Sequence, residues 1–377
     1  MIIFRNNQWE HRFWPIDRPP RDRPIAVGIL GTGYAAKARA SALLENPRCQ
    51  LVGIGGRSPE HTAAFAATLG VAAYTPEALL DQPNLDLVVI ATVNAHHGPL
   101  VRAALDRGLH VIVDYPLSLD ATEAAELIAL AQAQRRLLHV EHIELLGGWH
   151  QSLKQHLAQL GTPHWVRHAT VKVDRPAPDR WTYRRSQFGF PLIGAVSRIH
   201  RLTDVLGPVA SVSCQARFWP VTDSPIGLAP DPASSPVASP ALTGNSPIDP
   251  SADRFSTCLC TAQLFFQNGT LATVTYGKGE ALWRDERYLE IQGETGALRY
   301  DGDQAVLVTA AGETAIEVGG RRGLFAQDTE AVVAYLLEEK PLYVSAFASL
   351  YALQIAAAAQ QAAATGQVQL IPDPSPM

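Results

Sequence analysis

The sequence predicts an α/β protein in which a doubly wound Rossmann parallel sheet is followed by an α+β domain with an open, mostly antiparallel sheet. Three observations carry this. Short apolar strands alternate with Ala/Leu-rich helical stretches from Ile25 to about His142, a glycine-rich turn follows the first of those strands, and after Gly147 the rhythm changes to long alternating strands with hairpin signals. At 377 residues, 47% of them hydrophobic, the chain is long enough for two such units. The expected division is an N-terminal arm over 1–24, a nucleotide-binding domain over 25–146 and a second domain over 147–377, the latter interrupted by a Pro/Ser-rich insertion over 221–253.

The first segment carries arginines, prolines and aromatics with no uninterrupted apolar core, which reads as a loosely held arm and not as a secretion signal. The strands expected next are IAVGIL (25–30), LVGIG (51–55), LDLVVIAT (85–92), LHVIVD (109–114) and LLHVEH (137–142). Their continuous apolar character is that of parallel strands buried on both faces. Between them, Tyr34 to Leu44, Pro59 to Leu69, His97 to Arg107 and Ala121 to Arg135 have helical spacing. Beyond Gly147 a helix is expected over Trp149 to Leu160, a strand over Trp165 to Val173 and a helix over Pro191 to Leu206. Several alternating strands follow, turned at Asn268-Gly269 and at Gly293 to Gly296. Two helices close the chain, Leu324 to Glu338 and Ala346 to Ala364, the second Ala-rich and expected to pack on the Rossmann unit. Residues 221–253 lack apolar periodicity and read as a loop or disordered insertion.

Composition excludes several functions. The net charge of −5 comes from interspersed charges, so neither nucleic acid nor an anionic membrane is an expected partner. No stretch approaches the apolar length of a membrane span, and a cytoplasmic protein is expected. The 4 cysteines show no CxxC spacing, which argues for buried small hydrophobes over metal or redox chemistry.

Gly31-Thr32-Gly33-Tyr34-Ala35-Ala36 lies between a buried strand and a helix, which is where a dinucleotide pyrophosphate meets the positive end of a helix dipole. The first glycine makes the turn, the second admits the phosphates, and Ala36 lets helix and strand approach. NAD enzymes place a carboxylate on the ribose hydroxyls at the end of the second strand; here the segment is Gly55-Gly56-Arg57-Ser58. Arg57 and Ser58 suit a 2′-phosphate, so NADPH is favoured and NADH less so. At the carboxyl edge of the sheet, Thr92 and Asn94 are placed to touch ribose and carboxamide; His97 either joins them or only caps the following helix.

At the end of LHVIVD stands Asp114-Tyr115-Pro116, and a later helix reads Ser197-Arg198-Ile-His-Arg201-Leu-Thr-Asp204. The runs His139-Val-Glu-His142-Ile-Glu-Leu-Leu-Gly147-Gly148, Arg180-Trp-Thr-Tyr183, Gln187-Phe-Gly-Phe-Pro191, Tyr276-Gly-Lys-Gly-Glu280 and Arg321-Arg-Gly-Leu-Phe325 accompany them. From about Pro24 to Ala358, outside the insertion, this pattern resembles the biliverdin reductases of cyanobacterial type, within the glucose–fructose oxidoreductase/inositol dehydrogenase (Gfo/Idh/MocA) superfamily. That superfamily usually carries Glu-Lys-Pro where this chain has Asp114-Tyr115-Pro116, and presents Asp and His from the later helix. Replacement of the lysine by tyrosine, a group with a pKa of about 10, favours proton donation over abstraction. Asp114 departs from the reductases, which have Glu there; a carboxylate shorter by one methylene reaches less far.

The resemblance implies NADPH-dependent reduction of biliverdin to bilirubin, with hydride delivered to the central methine carbon of a linear tetrapyrrole and a pyrrole nitrogen protonated. It implies a catalytic role for Arg198, which we read as stabilising developing charge because a guanidinium of pKa above ~12 is a reluctant acid. Tyr115 is either a second donor or a packing wall beside the nicotinamide, and Asp114 completes the candidate catalytic set. Two propionates and a flat chromophore call for cations and an apolar platform, for which Arg180, Arg185, Arg198, Arg201, Phe188 and His142 are the candidates. No metal is expected, since His139, Glu141, His142 and Glu144 match no zinc-ligand spacing. An exposed sheet face leaves a homo-oligomer open. The competing readings are a sugar or polyol dehydrogenase and a catalytically silent NADPH-sensing regulator.

Overall fold

The computed structural model describes residues 2–5, 8–221, 253–338 and 340–374; the bulk of the 221–253 segment therefore lies outside the described residues. β1 (Ile2–Arg5) and β2 (Gln8–His11) pair as a hairpin. The next strands are β3 (Ile25–Leu30), β4 (Cys49–Gly55), β5 (Ala72–Tyr74), β6 (Leu87–Ile90), β7 (His110–Asp114) and β8 (Leu138–Glu141). They form a six-stranded sheet in the order β5-β4-β3-β6-β7-β8, every pairing parallel. Helices α1 (Tyr34–Leu44), α2 (Pro59–Leu69), α3 (Pro76–Leu80), α4 (His97–Asp106) and α5 (Ala121–Ala133) alternate with these strands, as the sequence predicts for most of them. All six residues of β3 are buried, and each large aliphatic among them contributes roughly 1.5–3 kcal/mol. Helix starts follow local chemistry: Ser58 accepts from the His61 N–H and Asp120 from the Thr122 N–H.

The second half contains α6 (Gly148–His156), β9 (Pro163–Val173), the single turns α7 (Arg185–Phe188) and α8 (Pro191–Gly194), and α9 (Ser197–Leu206). Then come β10 (Val209–Pro220), β11 (Phe255–Phe266), β12 (Leu271–Gly279), β13 (Glu286–Gly293), β14 (Gly296–Asp301), β15 (Gln304–Thr309) and β16 (Gly312–Ile316). The chain closes with α10 (Leu324–Glu338), α11 (Ala346–Thr365) and β17 (Gln369–Leu370). The nine-stranded sheet runs β16-β15-β14-β13-β9-β12-β11-β10-β17, antiparallel except where β9 meets β12. The turn after β11 forms as read: Gly269 has φ +89° and the Asn268 side chain accepts from the Thr270 N–H at 3.0 Å. α11, with alanine at half of its buried positions, packs between α5 of the first sheet layer and α9 with β10 of the second.

Two local expectations change. The single helix expected over Pro191 to Leu206 breaks at Ala195 (φ −116°, ψ 31°), so α9 begins afresh at Ser197 and presents Arg198 in its first turn. The arm is not loose. The Trp9 indole donates to the Thr203 carbonyl at 2.7 Å and that of Trp14 to the Arg136 carbonyl at 2.9 Å, while Arg18 donates to the Leu336 carbonyl at 3.0 Å. Aromatic residues with a polar handle are what let so short a segment bury surface while satisfying its own polar groups.

Candidate active site

β3 ends in Gly31, whose φ is +128° and where a Cβ would stand 2.1 Å from the Ala91 carbonyl oxygen. Only glycine satisfies both constraints. At Gly33 a Cβ would meet nothing within 4 Å, and this residue starts α1 with no side-chain cap on its first N–H groups. The turn thus offers open space in front of a positive helix end, with Thr32 and Ala35 half-buried beside it and Tyr34 84% exposed. Arg57 is exposed just past β4, next to Ser58 at the cap of α2. His96, which the sequence reading passed over, faces them: burial and the Arg57 charge lower its pKa. These residues fit a phosphorylated dinucleotide: glycine cradle, free helix N-terminus, cation and no carboxylate at the strand end.

His97 does not cap α4. Its buried ring lies between two carbonyls, Nδ1 2.7 Å from that of Pro116 and Nε2 3.3 Å from that of Thr92, and so ties the turn after β7 to the turn after β6. Asn94 is likewise buried and donates to the Phe188 carbonyl at 3.1 Å, which commits its amide N–H to holding α7. Thr92 is half-buried in the same turn.

That brace fixes Tyr115, whose ring stacks on His142 with centroids 5.2 Å apart and planes 9° from parallel. His142, fully buried, meets His200 edge-on at 4.1 Å and Ser349 Oγ through Nε2 at 2.9 Å, so it backs Tyr115 instead of lining a pocket. The phenol faces Ser197 and Arg198 from the first turn of α9. Burial raises its pKa against the opposing pull of Arg198, and it stays protonated. Burial works against the Arg198 charge, but Tyr115, Glu144 and Tyr276 hold its pKa above the usual value. Arg198 also donates to Ser197 Oγ at 2.9 Å and to Thr170 Oγ1 on β9 at 3.5 Å, and lies 5.8 Å over the Tyr276 ring on β12. Thr170 and Tyr276 are register neighbours across the parallel pair, so sheet, helix and turn converge here.

Behind Tyr115 lies a buried polar cluster. Asp114 stands in register with Glu141 on β8; its Oδ1 is buried without a partner. Arg39 from α1 pairs with Asp328 of α10 at 2.6 Å, both side chains 0% exposed, and Asp328 also meets His139 at 2.7 Å and accepts from the Tyr343 hydroxyl at 2.6 Å. Burial pushes Asp114 up to about 6 and Glu141 well above the usual carboxylate range, with Arg39 opposing both. Asp114 thus sits among these buried charges at the end of β7, one residue before Tyr115.

The remaining candidates separate. Arg201, 6% exposed at its side chain, is paired with Glu144 at 2.9 Å, and Arg185 lies 3.9 Å over the Phe218 ring. Arg180 is exposed on the loop before Trp181. Phe188 is a packed residue, 6% exposed, with the Lys278 ammonium 3.5 Å over its ring. The sequence reading missed Thr170, Glu144, Arg287 and Arg321 as neighbours of Arg198, since they come from four separate segments without a shared period.

Both halves of the chain match models of one family, described as Gfo/Idh/MocA oxidoreductases: the NAD-binding Rossmann fold over residues 25–142 and the C-terminal alpha/beta domain over 154–370. A biliverdin reductase from Synechocystis, solved in complex with biliverdin and NADP+, is 44% identical with a TM-score of 0.81, covering 90% of this chain and 99% of that one. The uncharacterized oxidoreductase YdgJ of Escherichia coli is 37% identical over 161 residues, 42% of this chain and 46% of that protein. Biliverdin reductase A of Mus musculus is 27% identical over 203 residues, 51% of this chain and 61% of that protein. The chain thus spans between 46% and 61% of the length of these two curated relatives. Among the described residues no helix is long and apolar enough to cross a membrane. The chain belongs to the Gfo/Idh/MocA oxidoreductase family.

Proposed function

We propose that this chain is an NADPH-dependent reductase that converts biliverdin to bilirubin. The observation that carries the reading is the meeting of the Tyr115 phenol with the Arg198 guanidinium at the carboxyl edge of the sheet, at the position where sugar-oxidising relatives carry a lysine base. The identity of 44% to the Synechocystis reductase over nearly its whole length supports the substrate, and the exposed Arg57 with no carboxylate beside it supports NADPH over NADH.

The residues that would hold the dinucleotide are Gly31, Thr32, Gly33, Tyr34 and Ala35 for the pyrophosphate, Arg57 and Ser58 for a 2′-phosphate, and Thr92 and Tyr115 near the nicotinamide end. Bound and reduced, it supplies a hydride. The chain's own groups do the rest. The central methine carbon gains the hydride while a pyrrole nitrogen takes a proton, and both Tyr115 and Arg198 remain protonated near neutrality, so the site donates and does not abstract. Arg198 stabilises negative charge that builds on the conjugated system and relays a proton from water or a propionate; Tyr115 is the shorter-range donor. His142, Asp114 and His97 position Tyr115. The sugar-dehydrogenase alternative needs a base, and a phenol whose pKa is raised is a poor one.

The test is direct: purified protein, NADPH and biliverdin are mixed, and loss of NADPH absorbance is followed alongside the colour change from blue-green to yellow. Stoichiometric loss of both is expected. Absence of any colour change overturns the proposal.

A further inference from the structure

Just after β8, Glu144 accepts a salt bridge on each oxygen: Arg201 Nη2 at 2.9 Å on Oε2 and Arg321 Nη2 at 2.8 Å on Oε1. Arg201 lies one helical turn beyond Arg198 on α9, and its second terminal nitrogen, Nη1, is buried with no partner. Arg287 on β13 stands in register with Thr170, the residue that Arg198 Nε contacts at 3.5 Å. The guanidinium groups of Arg287 and Arg201 lie 4.2 and 5.7 Å over the one Trp149 ring. The anion paired with Arg287, Asp303, is 99% exposed, a weakly held partner in water.

The charges do not balance. Arg201 and Arg321 contact the one half-buried carboxylate of Glu144, and the charges of Arg198 and Arg287 also bear on it. Burial raises the pKa of Glu144, but these four cations overcome that and hold it below the usual range. Burial lowers Arg201 to about 10, and the charges of Arg198, Arg287 and Arg321 push the same way. A cluster with surplus guanidinium groups and an unpartnered buried donor suits a planar anion, because carboxylates match the guanidinium fork in two hydrogen bonds.

We propose that Arg201, Arg287 and Arg321, with Arg198 at their edge, form a carboxylate subsite beside the reacting centre, and that Glu144 is the internal carboxylate which a substrate carboxylate displaces. This rests on the tetrapyrrole reading and deepens it: one propionate of the substrate enters here, which sets the conjugated rings against Tyr115 and Arg198. Arg180 and Arg185, the cations first expected for the propionates, are engaged on other segments or exposed away from this cluster.

The test uses the full chain and two probes, biliverdin and its dimethyl ester, which share a chromophore but differ in carboxylates. Arg321→Gln, at a side chain 57% exposed, raises KM for biliverdin about tenfold and leaves KM for the ester where it was. Glu144→Gln removes the competing internal carboxylate and lowers KM for biliverdin severalfold, again without effect on the ester. Equal changes for both pigments, or none, overturn the subsite. Should the wild type reduce neither pigment, the functional reading fails, and absorbance titration of each pigment against the protein still reads the subsite: weaker biliverdin binding in Arg321→Gln with ester binding unaltered supports it, and parallel binding of the two refutes it. Melting temperatures within a degree or two of wild type confirm that the variants fold.

Discussion

Asp114→Asn is the perturbation whose consequence the structure specifies most fully. The carboxyl of Asp114 ends β7 opposite Glu141, and its Oδ1 is buried without a partner while Arg39 is committed to Asp328. Burial pushes its pKa to about 6, against an unperturbed value of about 3.9. Two units at about 1.4 kcal/mol each make ionisation of Asp114 in the folded protein roughly 3 kcal/mol less favourable than in the unfolded chain. Because the folded pKa lies above the unfolded one, the corresponding stabilisation is complete below about pH 4 and is lost as the pH rises through about 6. Asparagine has no proton to lose. The stability of Asp114→Asn minus that of wild type therefore grows between about pH 4 and about pH 6.5, by up to roughly 3 kcal/mol, and is level above that. Urea unfolding at a series of pH values measures it, and taking the difference cancels every titration that the substitution does not touch. Glu141 titrates together with Asp114, so the rise is that of the pair. A difference that stays flat, or shrinks, across that range refutes the placement of an unpaired carboxylate behind Tyr115.

Other outcomes follow from the same geometry. Arg57→Asp places a carboxylate where a 2′-phosphate would sit and shifts the ratio of kcat/KM for NADPH over NADH by about 100-fold towards NADH; an unchanged ratio in paired assays removes the clamp. Arg198→Ala lowers kcat for biliverdin about 100-fold or more while the Kd for NADPH, read by fluorescence quenching, stays within a factor of a few; near-normal turnover would remove its catalytic assignment. Trp9→Ala deletes the indole that donates to Thr203 and packs 5.8 Å from Tyr351, and lowers stability by about 2–3 kcal/mol in thermal unfolding, whereas no change would restore the picture of a loose arm.

Much of the architecture was legible because it is local. β3, α1, α2 and α10 start and stop where apolar period, Ser58-Pro59 and the glycine turns say they do, since each boundary is set by a side chain or φ angle within a few residues. The N-terminal hairpin was not legible: nothing in residues 1–24 announces that Trp9 and Trp14 have carbonyls to bind on Thr203 and Arg136. Edge strand β5 was too short to show a pattern, and the break at Ala195 between α8 and α9 leaves no mark in an apolar run.

Chemistry divides along the same line. The glycine cradle and the absence of an acid after β4 are properties of contiguous residues, so the amino-acid order alone was enough to indicate a phosphorylated dinucleotide; Tyr115 in place of the family's lysine is what the proposed donating site rests on. The neighbours of Arg198 are another matter. Glu144, Thr170, Arg287 and Arg321 lie on four segments that meet only when β9, β13 and α9 are laid together, and whether a given arginine is spent on Glu144, on Phe218 or on water depends on that meeting. Propensity and hydrophobic pattern act over a few residues along the chain, but a guanidinium finds its carboxylate through space, and folding is what sets that distance.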